Sequence, residues 1–238
     1  MLARLTALAT VGVVGCASTT ADHTAAPLAE PPRVVVQETL EAVPEGGDGP
    51  DTVSLALDDE RGRTPIEGRA FGGAPFLGGA LVLRPDRSLE MVREGRGSVI
   101  DRDVVFAPVT SSDGEHAAWA AEHGPEPVLV VIDRDGSRFD AVQGLVSIGA
   151  LVFDPATHGA SRRIAFVGAR NGGIAGVWAA RVDGRGLSCL TNCELRVGQP
   201  LGPEHVPLPT APLRFEGDAL VSTIGAEAHT LPLPEVLR

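Results

Sequence analysis

The chain has no lysine and no tyrosine, and all 20 of its basic residues are arginine. Both absences read as genomic base bias. Without lysine, Gly72-Gly73, Gly78-Gly79 and Gly172-Gly173 cannot be phosphate-binding loops; none precedes a helical pattern either, so they read as turns. No G-x-S-x-G elbow is present, which excludes the hydrolase half that accompanies propellers in some peptidases. No H-E-x-x-H motif or i, i+4 histidine pair occurs among His23, His116, His123, His158, His205 and His229, which read as surface or loop groups. Positive charge is also scarce: 31 acidic residues leave a formal net charge of −11. Nucleic acid is excluded as a partner, because binding it needs a basic surface. Long apolar runs are missing beyond the amino terminus, and 29 Gly with 19 Pro argue for many turns rather than long helices.

What is present begins with MLARLTALATVGVVGC. Arg4 supplies a short positive region, and Leu5 to Val14 is apolar but too short to span a bilayer. Val13-Val14-Gly15-Cys16 resembles a bacterial lipobox, which implies a signal peptide over 1–15 and lipidation of Cys16. Ala17 after the cysteine favours the outer membrane if the host is Gram-negative. Residues 16–32, rich in Ala, Thr and Pro, read as a flexible tether, and 33–238 as the folded domain. An acidic surface repels anionic lipid, so membrane attachment is expected through Cys16 only. Cys189 and Cys193 then remain, spaced C-x-x-x-C, and in an oxidising compartment they are expected to pair. A redox or metal pair is the alternative, but no second Cys pair or nearby His completes a zinc set. Closing so short a loop adds only ~2 kcal/mol.

The stretch Leu151 to Asn192 organises the rest. Leu151-Val152-Phe153, Ile164 to Val167 and Val177 to Ala180 are short apolar runs with turn formers between them, which predicts strands joined by hairpins. Asp183-Gly184 is a tight-turn signal. The same landmarks stand one unit earlier: Phe106-Ala107-Pro108 and Trp119 precede Phe153-Asp154-Pro155 and Phe166 by 47 residues, and Asp135-Gly136 precedes Asp183-Gly184 by 48. A strand-only repeat of this length is what propeller blades look like.

On these residues the chain resembles the TolB-type β-propeller repeat, whose pattern runs roughly SPDG-x-x-IAF-x-S-x-R-x-G-x-x-x-IW-x-x-x-x-DG-x-x-x-x-LT. Ile164-Ala165-Phe166, Arg170, Gly172 or Gly173, Val177-Trp178, Asp183-Gly184 and Leu190-Thr191 fall on it in the later unit. Ser112-Asp113-Gly114, Ala118-Trp119 and Asp135-Gly136 fall on it in the earlier one. The match covers about residues 103 to 192; Ala156 to Ser161 departs from it by replacing an Asp-Gly turn. The resemblance implies an all-β fold, a small propeller with Trp119 and Trp178 as core residues between blades, and the length of the folded part at ~45 residues per blade gives four to five antiparallel blades. Residues 66–100 read as a degraded unit with turns at Arg84 to Arg87 and Glu94-Gly95, and Leu213 to Leu231 as a last fragment. Arg61 to Thr64 reads as a turn. Ring closure is expected to pair Val34 to Val36 with that carboxy-terminal fragment.

Candidate chemistry is sparse. Asp133, Asp135 and Asp140 have part of the spacing of a calcium loop, but the turn at Gly136 accounts for them without a metal. Asp58-Asp59-Glu60 and Glu41 to Glu45 read as solvated acidic faces. His116 and His123 flank one strand and are placed to meet near one end of a blade. No catalytic residue and no cofactor is expected. The expectation is a monomeric, non-enzymatic envelope lipoprotein that binds or scaffolds an envelope protein or peptide, on the periplasmic face of the outer membrane or otherwise on the cell surface. The alternative is an enzyme or glycan-binding propeller working through acidic residues at the central funnel.

Overall fold

Short alternating runs punctuated by Gly and Asp dictate hairpins, and that is how the chain folds. The computed structural model describes residues 33–37, 52–203 and 205–238; Cys16, the signal peptide, the tether and the Glu41 to Glu45 cluster lie outside them. Among the described residues the regular structure is strand, apart from two single turns of 3-10 helix at Gly159–Ser161 and Glu235–Leu237. The all-β class therefore holds.

Among the described residues eighteen strands form five antiparallel sheets in chain order. The first sheet holds β1 (Arg33–Gln37), β2 (Val53–Asp59) and β3 (Gly62–Ala70). The second holds β4 (Gly72–Phe76), β5 (Gly79–Leu83), β6 (Leu89–Arg93) and β7 (Arg96–Asp101). The third holds β8 (Val104–Thr110), β9 (His116–Ala121), β10 (Val128–Asp133) and β11 (Arg138–Val142). The fourth holds β12 (Ser147–Phe153), β13 (Arg163–Ala169), β14 (Gly176–Arg181) and the two-residue β15 (Ser188–Cys189). The fifth holds β16 (Arg214–Glu216), β17 (Ala219–Ile224) and β18 (Glu227–Pro232). Within each sheet the strands pair in chain order, so every sheet is one blade of a propeller, five among the described residues, within Pro31–Arg238.

The blades stack because the second, third and fourth sheets are greasy on both faces and the first and fifth on one. Successive side chains of a strand point to opposite faces. In the third sheet Ala117, Trp119, Val130 and Ile132 pack toward the second sheet, while Ala118, Ala120, Leu129 and Val131 pack toward the fourth. The fourth sheet repeats this: Ile164, Phe166 and Trp178 face the third, and Ala165, Val177 and Ala179 face the fifth. A fourth core, with Leu55, Ile66, Ala80 and Val82, joins the first and second. Fully burying one such aliphatic side chain contributes about 1.5–3 kcal/mol, so each interface is held mainly by this packing.

The expected closure does not occur. β1 pairs with β2, with Val35 opposite Ala56, and β16 to β18 pair only among themselves. A partner close in the chain costs less loop entropy than one at the far terminus. No hydrophobic core cluster joins the fifth sheet to the first among the described residues. The turn expected over Arg61 to Thr64 is also shorter than anticipated: β3 begins at Gly62 and runs through Pro65. Proline is tolerated there because β3 is an edge strand.

The two Asp-Gly landmarks turn between the third and fourth strands of their blades, with Gly136 at φ 91° and Gly184 at φ 79°. Their surroundings differ. A Cβ on Gly184 would overlap the carbonyl oxygen of Ala141 in the preceding blade, whereas one on Gly136 would meet nothing. Gly136→Ala should therefore lose only the strain of positive φ, about 1–2 kcal/mol. Gly184→Ala should lose about 3 kcal/mol or more, because it also pushes two blades apart. Urea unfolding midpoints of the two variants check this; equal losses would refute the close inter-blade contact.

Candidate functional site

Polar residues in this fold gather where two blades meet. One such gathering lies between the third and fourth sheets, at the end carrying the β8–β9, β10–β11 and β12–β13 connections. Arg162 sits just before β13 and is fully buried. As the residue two before Ile164, it shares the strand face that looks toward the third sheet, while the next residue, Arg163, looks toward the fifth.

Arg162 donates from Nη2 to Asp113 Oδ2 and lies 3.6 Å from Glu115. The Nδ1 atom of His158 is 3.0 Å from the same Asp113 oxygen. Asp113 Oδ1 accepts from Ser111 Oγ at 2.7 Å and from the Glu115 amide at 3.1 Å. Four partners thus occupy the roughly four acceptor positions of one carboxylate. Burial pushes the Asp113 carboxyl up, but the Ser111, Glu115 and His158 hydrogen bonds and the Arg162 charge outweigh it and hold it well below the ordinary range.

Asp113, Glu115 and His158 place ligand atoms within 4.8 Å of one another, the one such group among the described residues. A metal ion fits poorly there. Asp113 has no lone pair left to offer, and the Arg162 guanidinium already supplies the positive charge.

Beside this cluster opens a groove of about 440 Å³. Its lining includes Glu115, Asp133, Asp135 and Asp183 on the walls, with His116 and Phe139. His116 is only 6% exposed and its Nδ1 has no hydrogen-bond partner. Burial, then the Arg162 charge, lowers its pKa.

The repeat residues occupy equivalent places. Trp119 lies on the second strand of its blade and Phe166 on the second strand of the next, both fully buried. Trp119 Nε1 donates to Asp101 at 2.6 Å, across the junction with the second sheet; Trp178 Nε1 donates to the Gly168 carbonyl at 2.9 Å. Asp113-Gly114 forms the β8–β9 turn, and Cys189 and Cys193 form a disulfide. The three aspartates with calcium spacing do not converge. Asp133 and Asp135 both accept the Ser137 amide, at 3.0 and 2.7 Å, while Asp140 on β11 faces His123 at 3.3 Å.

His116 and His123 do not meet, contrary to the sequence expectation. They stand at opposite ends of β9, and a strand rises about 3.3 Å per residue. His123 instead lies 3.0 Å from Asp101, which also accepts from Arg138 at 3.1 Å. Sequence reasoning missed Arg162, Glu115, Phe139 and the pairing partner of Asp113. The available signal was Arg162-Arg163 directly ahead of an apolar strand, where alternation drives both charges into blade junctions.

The two lowered pKa values set an acid dependence. Folding lowers both, so the unfolded chain binds these protons more readily. Stability from His116 is full above its ordinary value of 6.5 and is lost as pH falls through its lower folded value; Asp113 acts likewise starting from 3.8. His116→Asn should flatten stability against pH below about pH 6.5, removing a slope of at most about 1.4 kcal/mol per pH unit. Asp113→Asn should flatten only the limb below about pH 4. Chemical denaturation across pH checks both; an unchanged profile in the His116 variant would refute its burial as a neutral ring.

No family model matches the sequence, and no curated protein matches it. Solved structures do resemble the fold. TolB from Acinetobacter baumannii is 15% identical, with a TM-score of 0.40, over 78% of this chain and 49% of that one. A chain of the nidogen/laminin complex is 12% identical, with a TM-score of 0.43, over 81% of this chain and 85% of that one. A puromycin hydrolase S511A mutant complexed with PGG is 17% identical, with a TM-score of 0.39, over 72% of this chain and 29% of that one. The chain thus spans about half the length of the Acinetobacter TolB structure it is similar to.

Proposed function

We propose that this protein is a non-enzymatic envelope lipoprotein whose blades form a rigid platform for a protein or peptide partner. The observation that carries this reading is the open groove between the third and fourth sheets, framed by the contact of buried Arg162 with Asp113 and lined by charged groups. A partner docking there meets a preorganised surface, which lowers the entropy cost of binding. The rival reading, an enzyme or glycan-binding propeller, has its best support in the convergence of Asp113, Glu115 and His158. The saturated Asp113 carboxylate weighs against it, since a general base or a metal ligand needs a free lone pair.

Attachment is proposed through lipidated Cys16, on the periplasmic face of the outer membrane in a Gram-negative host and on the cell surface otherwise. Cys16→Ser should move the protein from the membrane to the soluble fraction after export; retention in the membrane would refute the anchor. A photo-crosslinking residue at Ala160, exposed on the groove, should capture a discrete partner in the native envelope. The same residue at Glu227, whose side chain is 84% exposed on β18, should not. Absence of an adduct at Ala160, or the same adducts from both positions, would refute docking at this groove.

A further inference from the structure

The groove between the third and fourth sheets has an uneven charge balance. Glu115 leans on Arg162 at 3.6 Å, and Asp183 on Arg185 at 3.5 Å. Asp133 and Asp135 have no such partner: no basic side chain reaches ion-pair distance of either among the described residues, including Arg134, which stands between them in sequence and on the same rim. The two carboxylates both accept the Ser137 amide, and their other hydrogen-bond partners, the Ser137 hydroxyl, the Asp133 amide and each other, carry no positive charge. Burial first, and then the neighbouring Asp135, raises the Asp133 pKa, as expected of a carboxylate pair short of positive charge.

His116 is a second, independent sign of a missing ligand. It is buried, lines the same groove, and has an Nδ1 with no partner. A neutral ring protonated on Nε2 presents that nitrogen as an acceptor. Phe139, half-buried on β11, adds an aromatic surface to the lining. Carboxylates, a neutral acceptor and an aromatic face match a flat cation carrying several N–H donors, which is guanidinium rather than ammonium.

We propose that the groove receives an arginine side chain of the partner, held by Asp133 and Asp135 with Phe139 and His116 beneath it. The proposal rests on the binding reading above and names the chemistry of the docked segment. A groove of about 440 Å³ suits one extended side chain and its flanking backbone.

The test uses the full chain, isotopically labelled for NMR, with acetyl-Gly-Gly-Arg-Gly-Gly-amide as probe and its citrulline analogue as the uncharged isostere. The arginine peptide should shift the amides of Ser137, Phe139 and His116, and citrulline should bind about tenfold more weakly or not at all. Asp133→Asn with Asp135→Asn should weaken the arginine peptide about tenfold, while both amides can still accept the Ser137 N–H and keep the turn. Glu227→Gln, at an exposed acid on β18, should leave binding unchanged. Without any variant, added salt should weaken binding, because these carboxylates face water. Equal binding of citrulline, or shifts mapping elsewhere, would overturn the proposal. So would loss of a self-associated dimer in the double variant, which would assign the groove to a second copy. If the Ala160 crosslink to a partner survives the double variant undiminished, the platform reading stands and the arginine assignment falls.

Discussion

A guanidinium crosses every junction between consecutive blades. Arg84 of the second sheet donates to the Glu67 carbonyl of the first at 2.8 Å while bonded to Glu90 at 2.7 Å. Arg138 of the third donates to the Ile100 carbonyl and to Asp101 of the second. Arg162 of the fourth holds Asp113 of the third. Arg163 of the fourth binds Asp154 at 2.6 Å and reaches Asp218 and the Gly217 carbonyl of the fifth. Hydrophobic burial supplies most of the adhesion, but it is non-directional and lets greasy faces slide. A planar fork with several fixed donors sets the register. A lysine ammonium, a single point charge, would do this less well, so a chain restricted to arginine is suited to the task.

This constraint also sorts the acids by role. Asp101, Asp113 and Asp154 are spent on the junctions, and Asp101 and Asp154 are almost wholly buried. Breaking such a pair leaves an uncompensated buried charge, which costs about 3–5 kcal/mol. Asp133 and Asp135 lie one turn away, at a solvent-facing groove, and remain unspent. The charges at the junctions are thus mutually satisfied, while the carboxylates at this groove rest on hydrogen-bond donors without a basic partner among the described residues. The rigidity of the frame and the availability of the groove therefore have a single origin in which carboxylate each arginine takes.

Much of the fold was legible in the chain itself. The repeat in Phe106, Trp119 and Asp135-Gly136 against Phe153, Phe166 and Asp183-Gly184 corresponds to equivalent strands and turns of adjacent blades. The last fragment and the turns at Arg84 to Arg87 and Glu94-Gly95 also lie where the pattern put them. β3 escaped notice because its Gly, Arg, Thr and Pro residues belong to an edge strand, which packs on less of its surface and need not be apolar. Ring closure was misjudged because a hydrophobic pattern marks a strand without naming its neighbour.

By itself the sequence determined the short strands, their tight turns and the two-faced burial that makes sheets stack, since all of these follow from period-two alternation and local backbone preference. Tertiary structure alone decided which acid meets which arginine. Asp113 and Arg162 are 49 residues apart, and Arg163 and Asp218 are 55 apart. Pairing over such distances depends on the angle and offset at which one blade rests on the next, and no local pattern encodes that. The same stacking brought His116, Phe139, Asp133 and Asp183 to one groove, because side-chain direction is a local property and convergence is a property of the whole stack.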